Sequence, residues 1–182
     1  MKGIIFNLLE DVVHSNFGPD AWDDMIESAK VSGVYTSLGN YPHGELLALI
    51  DEFSARHASS RDELLVWFGR HAIPLLAERY GDFFTAHERL KPFLLTLNDV
   101  IHSEVRKLYP GGEPPVFLFE SPADDDDAEL LIRYRSRRML CKLAEGFTLG
   151  AADYFGEKVT IEQTRCMLDG EDECRLLCSF AQ

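Results

Sequence analysis

Glu129-Leu130-Leu131-Ile132-Arg133-Tyr134-Arg135-Ser136-Arg137-Arg138 is where the chain changes its period. Upstream, apolar residues recur every three or four positions. Here Leu130, Ile132 and Tyr134 alternate with Leu131, Arg133 and Arg135, the period of a strand. Working outward, Val116–Glu120 reads as a partner strand, joined to Glu129–Ser136 through Ser121–Ala128, whose Asp124–Asp127 run suits a solvated loop. Helical spacing returns from about Arg138 to Phe155, and Gly156 ends it. Lys158–Met167 and Cys174–Phe180 then form a second hairpin around Asp169-Gly170, a strong turn pair. The C-terminal third is therefore β-β-α-β-β with antiparallel pairing.

The first part of the chain is helical. Ile4, Ile5, Leu8, Leu9, Val12 and Val13 make one amphipathic face over residues 2–16, which Gly18-Pro19 closes. Short helices are expected over Asp20–Ala29 and around Leu46, Leu47, Ile50 and Phe53. Ser60 with Glu63 three residues on is a capping box for a fourth helix, which Pro74 should kink or end. Pro92 suits a first turn, and Phe93, Leu94, Leu97, Val100, Ile101, Val105 and Leu108 predict one long helix, stopped by Pro110–Pro115. The expectation is an α+β fold in a single domain, 1–182. An N-terminal helical lobe, 1–60, packs on a lobe of helices and a four-stranded antiparallel sheet, 61–182.

Composition narrows the function. The chain has 182 residues, 46% of them hydrophobic, and a formal net charge of −13. Such a charge repels nucleic-acid backbones and anionic membrane surfaces, so neither is an expected partner. No secretory signal and no membrane-spanning run is legible, and the four cysteines then point to a reducing compartment; the expected location is cytoplasmic. No phosphate-binding glycine loop, Ser/His/Asp arrangement or carboxylate pair stands out, so the chain does not read as an enzyme.

Three constellations could carry chemistry. His102 sits mid-helix, where a neutral imidazole facing an apolar cavity would be a good ligand for haem iron, although a lone helical histidine is more often an ordinary half-buried residue. Tyr134, Ser136 and, if the strand continues, Arg138 share one face at steps of roughly 6–7 Å. Two hydroxyls and a guanidinium in a row suit carboxylates. The third is Cys166 and Cys174, which straddle the Asp169-Gly170 turn and, if the hairpin is centred on Gly170, face each other across it; Cys141 on the preceding helix could join them. A structural zinc wants four ligands. Cys178 lies about 13 Å along the strand from Cys174, and Gln163 is a poor ligand, so the fourth position is open.

A mid-helix His102, then Pro114-Pro115, then Tyr134-x-Ser136-x-Arg138 together resemble the haem nitric oxide/oxygen-binding (H-NOX) domain of the stand-alone bacterial type, over essentially the whole chain. The resemblance implies haem b, with His102 as the proximal iron ligand and Tyr134, Ser136 and Arg138 holding the propionates. It also implies that Pro115 presses on the haem and that Ile5 stands on the distal N-terminal lobe. Oxygen-binding members are similar to one another in a distal tyrosine on the helix after Tyr-x-Ser-x-Arg. Here no tyrosine lies between Tyr134 and Tyr154, and Leu143 stands at that position; Leu9 and Ala72 stand where an indole and an amide would support it. Bound O₂ needs a hydrogen-bond donor far more than NO or CO does. The expected function is thus a sensor that binds NO and CO, discriminates against O₂, and acts in trans on a histidine kinase or a cyclic-di-GMP enzyme. The same resemblance makes Cys141, Cys166 and Cys174 candidate zinc ligands. A second resemblance, from Cys141 to the C-terminus, is to the 4-vinyl-reductase-type small-molecule-binding domain. It implies a haem-free ligand-binding or zinc/thiol redox module and leaves His102 and Tyr134-x-Ser136-x-Arg138 without a role.

Overall fold

A computed structural model describes residues 1–109, 111, 113–121 and 128–181, with the Val105 side chain left out. The expected turn residues Pro110 and Gly112 and the Asp124–Asp127 loop lie outside the described residues. The helical part runs α1 (Gly3–Phe17), α2 (Pro19–Ala29), α3 (His43–His57) and α4 (Arg61–Arg79). The Ser60–Glu63 box is formed: Glu63 N–H donates to Ser60 Oγ at 3.2 Å and Ser60 N–H donates to Glu63 Oε2 at 2.7 Å.

Pro74 does not end α4, which continues to Arg79. Proline deprives the Arg70 carbonyl of its usual helical donor. That carbonyl packs instead against α8 (Cys141–Phe155) at Gly150, where a Cβ would lie 2.5 Å from it. Gly69 and Gly146 make the same close approach; a Cβ on Gly146 would meet the Val66 carbonyl at 2.2 Å. Arg70 closes the contact with two bonds to Asp153, at 2.5 and 2.8 Å. Helix backbones this close carry α4 through its proline.

The single helix expected over 93–108 is three pieces: α6 (Leu90–Leu95, after the short α5, Gly81–Thr85), a π-helical turn (Leu97–Ile101) and α7 (His102–Leu108). The N–H groups of Val100 and Ile101 both donate to the Thr96 carbonyl, at 3.0 and 3.2 Å, which is how the extra residue is taken up. Tertiary structure overrides the uniform apolar spacing because Asn98 is pulled onto β1 (Val116–Glu120). Its Oδ1 accepts from Phe117 N–H at 3.2 Å and its Nδ2 donates to the Phe117 carbonyl.

β1, β2 (Glu129–Arg135), β3 (Val159–Arg165) and β4 (Cys174–Phe180) form an antiparallel sheet in the order β1-β2-β4-β3, so the α+β class and the four-stranded sheet stand as read. Phe117, Leu130, Ile132, Tyr134, Leu176 and Cys178 are buried on its inner face. β2 stops at Arg135 and does not continue to Arg138, and α8 starts at Cys141 rather than Arg138. Between them Met139 takes a left-handed φ of 51°, an uncommon conformation for a residue with a side chain.

The apolar residues gather in two buried clusters. One is built on α1–α4 with Leu140 and Leu143; the other is built on α5, α6, the sheet and the body of α8. Leu76 and Phe147 pack against both. Among the described residues no helix is long and apolar enough to cross a membrane.

Candidate functional site

A cavity of about 320 Å³ lies between the two clusters. Ile4, Ile5 and Leu8 of α1 and Leu143, Ala144, Phe147 and Thr148 of α8 form part of its wall. Phe93, Leu97, Ile101 and His102 bring the broken helix to it, and Pro114, Pro115 and Phe117 bring the start of β1. All seven residues singled out for the haem site reach this cavity: Ile5, His102, Pro115, Tyr134, Ser136, Arg138 and Leu143.

His102 begins α7, and its ring stacks on Phe117 with centroids 5.6 Å apart and planes 27° apart. Its Nδ1 is buried without a hydrogen-bond partner. Burial, with a smaller push from the Arg106 guanidinium, lowers its pKa to about 4, while the Pro115 backbone works weakly in the other direction. At neutral pH the ring is therefore an uncharged imidazole at an apolar wall, the form that ligates a metal.

Tyr134, Ser136 and Arg138 are brought together by a turn, not by strand alternation. Tyr134 Oη accepts from Leu140 N–H at 3.1 Å, and Ser136 Oγ accepts from Arg138 N–H at 3.2 Å. The Tyr134 hydroxyl is buried, which holds its pKa above the usual range. Arg138 Nη1 donates to the Glu113 carbonyl at 2.5 Å, and its Nη2 lies 3.9 Å from the Glu113 carboxylate. A partly exposed guanidinium and two hydroxyls thus reach a cavity whose walls are mainly apolar.

α8 presents Leu143, Ala144, Phe147 and Thr148 to the cavity and no tyrosine. Leu9 and Ala72 are buried in the first cluster and do not line it. Tyrosine does reach the cavity from elsewhere, which the reading of α8 alone missed: Tyr80 and Tyr109 stand on its wall, their hydroxyls 2.7 Å apart. Neither residue carries a local sequence signal, since 29 positions separate them. Asn98, an amide one turn before His102, has no role legible in the sequence; the structure gives it one, on both backbone groups of Phe117.

At the hairpin, Cys166 Sγ lies 3.8 Å from Cys141 Sγ and 4.0 Å from Cys174 Sγ. All three sulfurs fall within 4.8 Å of one another. Gln163 Nε2 approaches Cys141 Sγ at 3.4 Å, and Met167 N–H donates to Cys174 Sγ at 3.2 Å. Burial raises the Cys141 thiol and pushes Cys174 up to about 12. Cys178 is buried on β4 outside this group, where burial also pushes it up to about 12.

A scan of family models matches residues 2–163 to the haem-NO-binding family. Among solved structures, the Fe(II)NO form of an H-NOX protein from S. oneidensis is 32% identical, with a TM-score of 0.92 and full coverage of both chains. The same organism's H-NOX domain in its Fe(II)CO state matches at 32% identity and TM-score 0.89, covering 100% of this chain and 99% of the other. The unliganded Fe(II) H-NOX protein from K. algicida matches at 29% identity and TM-score 0.86, covering 100% of this chain and 97% of the other. No curated protein matches the sequence. The chain belongs to the haem-NO-binding family. The cavity fits that family's group: an uncharged imidazole, mainly apolar walls, and a guanidinium and two hydroxyls for carboxylates.

Proposed function

We propose that the cavity holds haem b and that the protein is a gas sensor for NO and CO that discriminates against O₂. The observation that carries this is the uncharged His102 ring on an apolar cavity wall, with its Nδ1 buried. Haem would supply, when bound, a ferrous iron able to take a diatomic ligand. His102 serves as its protein ligand. Tyr134, Ser136 and Arg138 hold the carboxylates, with Arg138 exchanging its Glu113 contact for a propionate. Pro115, just before β1, and Ile5 of α1 would press on the ring, and Leu143 would face the gas. Ile5 and Leu8 of α1 and Leu143, Ala144 and Phe147 of α8 give a bound gas no donor, and the Thr148 hydroxyl beside them donates to the Ala144 carbonyl at 2.9 Å, which disfavours O₂.

Residues 1–60 act as the distal lobe in this reading and 61–182 as the haem-binding lobe. Movement of α1 against the rest would carry the signal in trans to a histidine kinase or a cyclic-di-GMP enzyme in the cytoplasm. The net charge of −13 favours a basic partner surface.

The test is an absorption spectrum of the purified protein, reduced without air, then exposed to air, then to NO. A Soret band that ignores O₂, shifts with NO, and in His102→Ala returns only with added imidazole is the expected result. A stable oxy spectrum would overturn the selectivity. Absence of haem after reconstitution would overturn the sensor and favour the haem-free module.

A second reading concerns zinc at Cys141, Cys166 and Cys174. Thiolates on a tetrahedral zinc stand roughly 3.8 Å apart, and two of the sulfur separations here are 3.8 and 4.0 Å. Three ligands are thus preplaced, and an exchangeable fourth would face the Gln163 side. Zinc near one equivalent per chain that falls in Cys166→Ser is expected; zinc-free protein with unaltered folding would remove the site.

A further inference from the structure

We infer that the Tyr80–Tyr109 hydroxyl pair is a latch that positions His102, tying the far end of its helix to α4. The inference rests on His102 being the iron ligand and deepens that reading.

α7 has seven residues, too few to hold its own place by helical hydrogen bonding. What sets the position of His102 is therefore what grips the two ends of this segment. At the N-terminal end Asn98 clamps the π turn to both backbone groups of Phe117. At the C-terminal end Tyr109, the residue after α7, is buried, and its hydroxyl meets that of Tyr80 at 2.7 Å. Both rings line the same cavity as His102, beside apolar neighbours such as Phe83 and Leu108. Tyr109 is buried and Tyr80 half-buried, and each hydroxyl finds its partner in the other. Burial and the shared bond keep Tyr109 protonated far above neutral pH, so the O–H is always there to bond.

Tyr80 also faces the other way along the chain. It follows directly on α4, whose last residue, Arg79, is paired with Asp11 of α1. The latch therefore joins the His102 helix to α4 at the point where α4 is joined to α1. The conformer it stabilises is the one seen here, with His102 on the cavity wall. Without it, conformers in which His102 has moved away gain population.

The experiment uses Tyr80→Phe, Tyr109→Phe and the double variant, each keeping the ring and its packing. Three quantities are read: the iron–His stretching frequency of the ferrous protein, the share of the NO complex that keeps the His102–iron bond, and amide hydrogen exchange of residues 102–109 in haem-free protein. Loss of one neutral hydrogen bond predicts a shift of about 2- to 10-fold toward the complex that has lost His102. A lowered stretching frequency and faster exchange at 102–109 should accompany it. Because both residues make one bond, the double variant should do no more than either single variant.

Wild-type stretching frequency and exchange in all three variants, even with a lowered melting temperature, would overturn the latch. Additive effects of the single variants would overturn it too, since the tyrosines would then act separately. A wild-type protein that takes up no haem would instead overturn the sensor reading, and the exchange measurement alone would still decide the latch.

Discussion

Burying a polar ring costs free energy unless its nitrogens find partners, and His102 is held uncharged, with Nδ1 buried, at the wall of a cavity. Such a residue is explained by what it is kept ready for. Leu143 is read in the same way, as a wall residue whose lack of a donor sets the gas that is accepted. Leu143→Tyr should therefore raise O₂ affinity at least roughly tenfold through a new hydrogen bond, measured by oxygen titration of the ferrous protein; unchanged affinity would show that Leu143 does not face the gas. Outside the cavity, Glu173 is a buried carboxylate bonded to Arg133 and Arg175 at 2.8 Å each. Arg133 above all, then Arg175, hold its pKa down to about 2 against the opposing effect of burial. Its folded value lies below the usual one, so its contribution is complete above about pH 4.5 and is lost as pH falls toward 2. In Glu173→Gln the acid limb of stability should be shallower between pH 5 and 2 in urea titrations, and an unchanged slope would contradict this.

Among the elements, the α4–α8 pair shows most clearly what sequence reading can and cannot reach. Gly69, Gly146 and Gly150 let two helix backbones meet, and a Cβ at Gly146 has no room beside the Val66 carbonyl. Gly146→Ala should cost about 1–3 kcal/mol by overpacking, seen as a lower urea midpoint with an unchanged slope. That Gly69 lies against Leu143, Gly146 and Phe147 of α8 could not be read from the chain. Ser60→Ala should cost about 1 kcal/mol by loss of the cap; here the four-residue motif stated its own structure. The long helix expected over 93–108 is the opposite case. Its apolar spacing is uniform, and nothing local marks Asn98 as the residue that β1 pulls out of register.

For the whole molecule, the cavity separates two apolar clusters that share only a few residues, such as Leu76 and Phe147. A group that fills it touches both. Haem loading should accordingly raise the melting temperature, and by mass action the gain should grow with free haem, reaching about 2.7 kcal/mol at one hundred times Kd. A transition that ignores haem would contradict this. The helical first part, the β-β-α-β-β order and the capping box could all be read from the chain, because each rests on spacing or on local hydrogen bonding; seven of the cavity residues were named through the resemblance, and Tyr80 and Tyr109 were not. Three things could not. Ser136 and Arg138 join Tyr134 through a turn at Met139 rather than along a strand, the π turn sets where α7 begins, and Tyr80 meets Tyr109 across 29 positions. Each depends on which surfaces meet once the elements pack, and packing energy is a property of neighbours in space that a one-dimensional pattern does not contain.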